Sequence, residues 1–136
     1  MKGSYILLIE LPEEESVVIG SLNLIHFSHH FYAYVGSALG GLEPRLNRHL
    51  KKKKKLHWHI DYFLQKSEVI GIIVCETDDR IECILAQTLL HRFEVVSGFG
   101  SSDCRCPGHL FSSDKEMKTE IMTAIKPHLL DVRVVY

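Results

Sequence analysis

Ser4-Tyr5-Ile6-Leu7-Leu8-Ile9-Glu10 is the stretch on which the fold turns. It is a short apolar run, stopped by Leu11-Pro12 and the acids Glu13 to Glu15, and it reads as a strand buried on both faces. Phe31-Tyr32-Ala33-Tyr34-Val35-Gly36, rich in aromatic and β-branched residues, makes a second core strand. Between them, residues 16 to 27 suggest a hairpin or irregular insertion around Gly20-Ser21 and Asn23. Val69 to Cys75 gives the clearest strand of the chain.

Helical signals alternate with these runs. After the turn around Gly36, Gly40 and Gly41, Pro44 suits the first turn of a helix, where a missing N–H costs nothing. Leu42, Leu46 and Leu50 form its expected apolar stripe, with Arg45 and His49 side by side along one edge and Arg48 towards solvent. Residues 57 to 66 favour a short helix. Thr77-Asp78-Asp79 offers caps for a helix from about 80 to 92, buried through Ile81, Leu85, Thr88 and Leu89. Gly98 to Gly108 is loop chemistry. Ser113 to Glu116 reads as a capping box opening a last helix with Met117, Ile121 and Ile125 inward, and residues 131 to 136 as a closing strand. The expected architecture is a single α/β layered domain over residues 1 to 136.

Bulk properties narrow the classes. The chain has 136 residues, 46% hydrophobic and 24% charged, which suits one globular core. No apolar run approaches the roughly 18 residues that span a bilayer, and no cleavage site follows the first strand, so neither membrane nor secretion is expected. Four unevenly spaced cysteines read as reduced thiols in a cytoplasm. Net charge is −1, but residues 45 to 59 hold Arg45, Arg48 and Lys51, Lys52, Lys53, Lys54 and Lys55 with no acid. A basic block on an acidic body is the footprint of a nucleic-acid site; a solvated lysine loop is the plain alternative.

Gly3-Ser4-Tyr5, Tyr34-Val35-Gly36, the Arg45–His49 pair and Glu82-Cys83-Ile84-Leu85-Ala86 occur in an order that resembles the GIY-YIG nucleases. With His57-Trp58-His59-Ile60-Asp61-Tyr62 and Gly98-Phe99-Gly100-Ser101-Ser102-Asp103-Cys104, the set resembles the archaeal Uri-type branch over about residues 3 to 111. The resemblance implies a small, central, mainly antiparallel sheet flanked by helices, with an inserted hairpin and a C-terminal helix-strand extension. It also implies a metal-dependent endonuclease hydrolysing DNA phosphodiester bonds in repair or processing. Its first tripeptide departs from the pattern, residues 11 to 30 form an insertion, and only Asp103 stands near the place of a late Asn.

On that resemblance Tyr5 and Tyr34 face the attacking water, with Tyr5 relaying its proton. Arg45 clamps phosphoryl oxygens, His49 shuttles a proton, and Glu82 holds one Mg²⁺ or Mn²⁺, with Glu76 as the fallback ligand. Tyrosine is a poor base near neutral pH and needs help from a cation or metal-bound water. Each residue has a plain alternative: Tyr5 and Tyr34 as core aromatics, Arg45 as a solvated charge, and Glu82 as capping partner of Asp79.

Arg48, Lys51 to Lys55, His57, Trp58, His59, Ser101 and Ser102 are the candidate DNA contacts. Trp58 either stacks on a base or fills the core. Cys104, Cys106 and His109 supply three ligands in a non-standard spacing; a fourth would have to come from His57, His59 or Asp103, so loop thiols rather than zinc are expected. The expected partners are DNA and a repair protein supplying target choice, with no organic cofactor. A catalytically inactive nucleic-acid-binding module is the alternative function, and a zinc-stabilised scaffold a third.

Overall fold

The computed structural model describes residues 1–128 and 132–135. The apolar run at the start forms β1 (Gly3–Glu10), all but its last residue buried, at the heart of a six-stranded sheet. A hairpin of β2 (Glu15–Val18) and β3 (Leu24–Phe27) follows as a separate two-stranded sheet. β4 (Phe31–Ala38) then pairs antiparallel with β1 along its whole length, from Gly3 opposite Ala38 to Glu10 opposite Phe31.

Beyond β4 come α1 (Leu42–Leu50), α2 (His59–Leu64), β5 (Glu68–Glu76) and α3 (Glu82–Leu90). The chain continues through β6 (Glu94–Val95), β7 (Leu110–Ser113), α4 (Lys118–Ile125) and β8 (Val132–Val134). The strand order is β6-β7-β4-β1-β5-β8, and every described pair is antiparallel. Of the closing strand expected over 131 to 136, residues 131 and 136 lie outside the described residues.

Because side chains alternate along a strand, β1 feeds two cores. Tyr5, Leu7 and Ile9 meet Tyr34, Leu42, Ile60, Phe63 and Phe99 beneath α1, α2 and the hairpin. Ile6 and Leu8 meet Val35, Ile73, Leu85, Leu89, Phe111 and Ile121 beneath α3 and α4. This is a mixed sheet-plus-helix architecture. It corrects the expected GIY-YIG-like fold class: the antiparallel sheet, flanking helices, inserted hairpin and C-terminal helix and strand are present, but they make a generic sheet-plus-helix arrangement with nothing particular to that fold.

Three local expectations shift. The α1 stripe does not run through Leu50, which is 42% exposed; Leu42 and His49 are the buried positions. At about 100° per residue, His49 lies some 20° from Leu42 and Leu50 some 80°, so the helix turns a histidine inward. α3 begins at Glu82 with no side-chain cap, because Thr77 Oγ1 accepts from the Asp79 amide at 3.0 Å in a turn of its own. Glu82 is therefore no capping partner. Likewise Ser113 and Glu116 accept from the amides of Lys115 and Lys118 respectively, and α4 starts only at Lys118, although Met117, Ile121 and Ile125 face inward as expected.

Candidate functional site

Tyr5 and Tyr34 lie on the α1-facing side of adjacent central strands. Tyr5 needs room there. A Cβ on Gly36, directly across on β4, would overlap the Tyr5 ring, so only glycine lets that ring lie over the neighbouring strand. Gly100 does a similar service: its φ of +72° is costly for other residues, and a Cβ would crowd the Tyr34 ring at 3.0 Å. Both are core aromatics, as the plain alternative for the tyrosines has it.

The Tyr5 hydroxyl lies 2.6 Å from His49 Nε2 in a buried hydrogen bond. Burial, assisted by the Lys54 charge, holds His49 down to about 3, so the imidazole is neutral at physiological pH. Burial likewise pushes the Tyr5 phenol far above its usual range, against the pull of Arg45. The phenol therefore donates and the imidazole accepts. The expected roles shift accordingly: within this pair His49 is the proton acceptor, and Tyr5 is its donor. His49 Nδ1 is buried without a hydrogen-bond partner, and the Tyr34 ring stands edge-on to the imidazole at 6.3 Å.

Arg45 is half-buried beside this pair. Its Nη1 donates to the Ser37 carbonyl at 2.8 Å, and its guanidinium carbon lies 4.4 Å from the Trp58 ring centre. Arg48 lies equally close to Trp58, so the ring contacts two cations. That contact replaces both expectations for Trp58, which is neither fully core nor an open stacking face. Arg48 turns away from solvent and grips the fully buried Asp61 with two hydrogen bonds of 2.7 and 2.8 Å. Asp61 also accepts from the amides of His57 and Trp58. Burial alone would raise Asp61, but the Arg48 fork and those amides hold its carboxyl below the usual range.

The lysine run divides by role. Lys54 Nζ donates to the carbonyls of Arg48 and His49, closing the end of α1. Lys52 Nζ does the same at the end of α2, reaching Leu64 and Ser67 at 2.7 and 2.6 Å. Lys51, Lys53, Lys55 and His57 are exposed. The Gly100 amide donates to His59 Nδ1 at 2.9 Å, which brings the loop carrying Ser101 and Ser102 against this segment.

Glu82, at the start of α3, lies close enough to Tyr5 and Tyr34 for its charge to oppose their ionisation, and it has a hydrogen-bond partner of its own. Its carboxylate accepts from His109 Nδ1 at 3.0 Å, and His109 is buried. Burial depresses that imidazole, but the Glu82 carboxylate outweighs it and raises it above its ordinary value. The other ring nitrogen, Nε2, faces Cys104 Sγ at 3.5 Å. Cys83, Cys104, Cys106 and His109 bring one ligand atom each within 4.8 Å of one another, and among the described residues no other group of three or more His, Cys or acid side chains is close enough to share an ion. Burial opposes ionisation of all three thiols, yet donation by the Cys106 amide and thiol lowers Cys104, while Cys106 is pushed up to about 12. A recess of about 340 Å³ beside the cluster is lined by Ser37, Arg80, Glu82, Asp103 and His109 among others.

This cluster overturns the expected metal chemistry. The resemblance places a single Mg²⁺ or Mn²⁺ at Glu82, and the sequence spacing disfavours zinc for want of a fourth ligand. The fourth ligand is Cys83, beside Glu82, and the set is soft, three sulfurs and an imidazole, as zinc prefers. His59 is occupied with Gly100, and Glu76 closes β5 opposite Gly3. Sequence spacing missed Cys83 because it stands 21 positions before Cys104 on another element. The usable signal was its place in the first turn of a helix packed against the Gly98–Gly108 loop.

The fold and these residues define a small mixed α/β domain with a buried Tyr5–His49 pair on one face of its sheet and a thiol–imidazole cluster beside an open recess. The chain matches the family model described as Domain of unknown function DUF123 over residues 4–130, and it belongs to that family. That assignment corrects the resemblance to the GIY-YIG nucleases: the family carries no indication of their endonuclease activity, so the enzyme class and the repair association that rested on the resemblance fall with it. No curated protein and no solved structure matches the chain. No helix among the described residues is long and apolar enough to cross a membrane.

Proposed function

We propose that this chain binds nucleic acid, with DNA as the partner and the cytoplasm as its place of work. What supports the reading is one stretch of chain: exposed Lys51, Lys53, Lys55 and His57 follow α1, whose half-buried Arg45 shares the Trp58 ring with Arg48 and lies beside Tyr5. Exposed cations track the phosphate backbone, and Arg45 offers its remaining donors to phosphoryl oxygens. Ser101 and Ser102 join the same surface through the Gly100–His59 hydrogen bond.

Fluorescence anisotropy with a labelled duplex tests this. Binding should weaken steeply as salt rises, and Arg45→Ala should lose about tenfold in affinity, in line with one lost charged contact of about 1.4 kcal/mol. No binding at low ionic strength would overturn the reading.

A further inference from the structure

We infer that Cys83, Cys104, Cys106 and His109 hold a zinc ion that pins the Gly98–Gly108 loop to α3 and, through His109, fixes the carboxylate of Glu82. The inference does not depend on the nucleic-acid reading. Three observations carry it.

The first is geometry. A tetrahedral zinc with ordinary Zn–S and Zn–N bonds separates a sulfur from a nitrogen by about 3.5 Å and two sulfurs by about 3.8 Å. Cys104 Sγ and His109 Nε2 are 3.5 Å apart, and all four ligand atoms fall within 4.8 Å. The second is the histidine. Its Nε2 faces the thiols while its Nδ1 donates to Glu82, the carboxylate–imidazole arrangement that fixes a ligating histidine's tautomer and raises its basicity. The third is support from the fold. His109 is buried, its amide donates to the Phe99 carbonyl at 2.7 Å, and its carbonyl accepts from Val35 on β4. Phe99 itself is fully buried against Tyr34 and Phe63.

The chemistry balances simply. The three thiols bind as thiolates, release their protons to solvent and, with neutral imidazole, leave the centre at −1. A closed set of four protein ligands leaves no open position, so the ion is structural. Glu82 then acts as a positioning residue for His109 and lines the neighbouring recess.

Metal analysis of the full purified chain tests the inference, expecting one zinc per chain. Cobalt substitution should give the visible d–d bands of a tetrahedral site with thiolate charge transfer. Cys83→Ser and Cys104→Ser should lose those signatures while Cys75→Ala, buried on β5, keeps them. Glu82→Gln should retain the metal with affinity reduced 10- to 100-fold. Should the cysteine variants fail to fold, chelation of the wild-type chain provides the second readout: zinc release accompanied by a fall in Tm. Protein purified without metal that takes up neither zinc nor cobalt, or a cobalt spectrum unchanged in Cys83→Ser, overturns the inference.

Discussion

The region around Tyr5 and the cluster around His109 share one sheet but are built in opposite ways. In the first, residues from β1, β4 and α1 meet through a buried neutral pair, and the charged groups around it are tied to backbone carbonyls, Trp58 and Asp61. In the cluster, three thiols crowd an imidazole that already has a carboxylate behind it. The first is closed by hydrogen bonds between its own side chains. The second has backbone and carboxylate support for His109 but gathers three thiols whose preferred partner is a cation. Glu82, grouped with Tyr5 and Arg45 by sequence order, links the two: it accepts from His109 while its charge reaches Tyr5 and Tyr34.

Asp61 offers the largest test of the self-contained region. It is fully buried and takes four hydrogen bonds from Arg48 and two amides. Asp61→Ala should cost about 3 kcal/mol in urea unfolding, because Arg48 and both amides lose their acceptor. A loss under about 1 kcal/mol would mean that water replaces the carboxylate freely. Gly36→Ala ranks next, at about 2 kcal/mol, since its methyl would displace the Tyr5 ring and break the bond to His49. Crystallography or NMR of that variant should show Tyr5 rotated away; an undisturbed ring would contradict the packing argument.

His49 gives a smaller, pH-dependent effect. Its folded value of about 3 lies below the ordinary 6.5, so between those limits the unfolded chain binds more protons. Stability should therefore rise with pH from about 3 to 6.5 and level off above. Asp61, depressed in the folded state, adds a rise only near and below the carboxylate range. Between about pH 5 and 6.5 the slope belongs to His49 together with His59, which burial also lowers, so His49→Gln should make it shallower; an unchanged slope there would mean the buried imidazole is not neutral.

Much of this architecture was legible because strands and helices announce themselves through local apolar runs. Val69–Cys75, Phe31–Gly36 and the stretch after Gly3 each carry their own period, and each is a strand. β6 and β7 were not legible: two and four residues long, they are strands only because β4 offers an edge to β7 and β7 in turn offers one to β6. The inward turn of His49 escaped the pattern for a related reason, since its partner Tyr5 is 44 positions away. Cys83 escaped likewise. Order along the chain suggested which residues converge, yet it could not say that Lys52 and Lys54 close helix ends while their neighbours face solvent.

That division among the lysines is where the proposed function is most exposed to test. The decisive measurement is duplex-DNA affinity across a salt series, together with Tm, for two variants: Lys51→Ala/Lys53→Ala/Lys55→Ala and Lys52→Ala/Lys54→Ala. The account predicts that the first keeps its Tm, loses affinity at low salt and shows a salt slope shallower by up to about 3, near 0.9 for each lost phosphate contact. The second should lose Tm as the ends of α1 and α2 open, and once folded at low temperature it should bind DNA better than the first. Equal affinity and slope in wild type and the triple variant would contradict the claim that this surface binds nucleic acid.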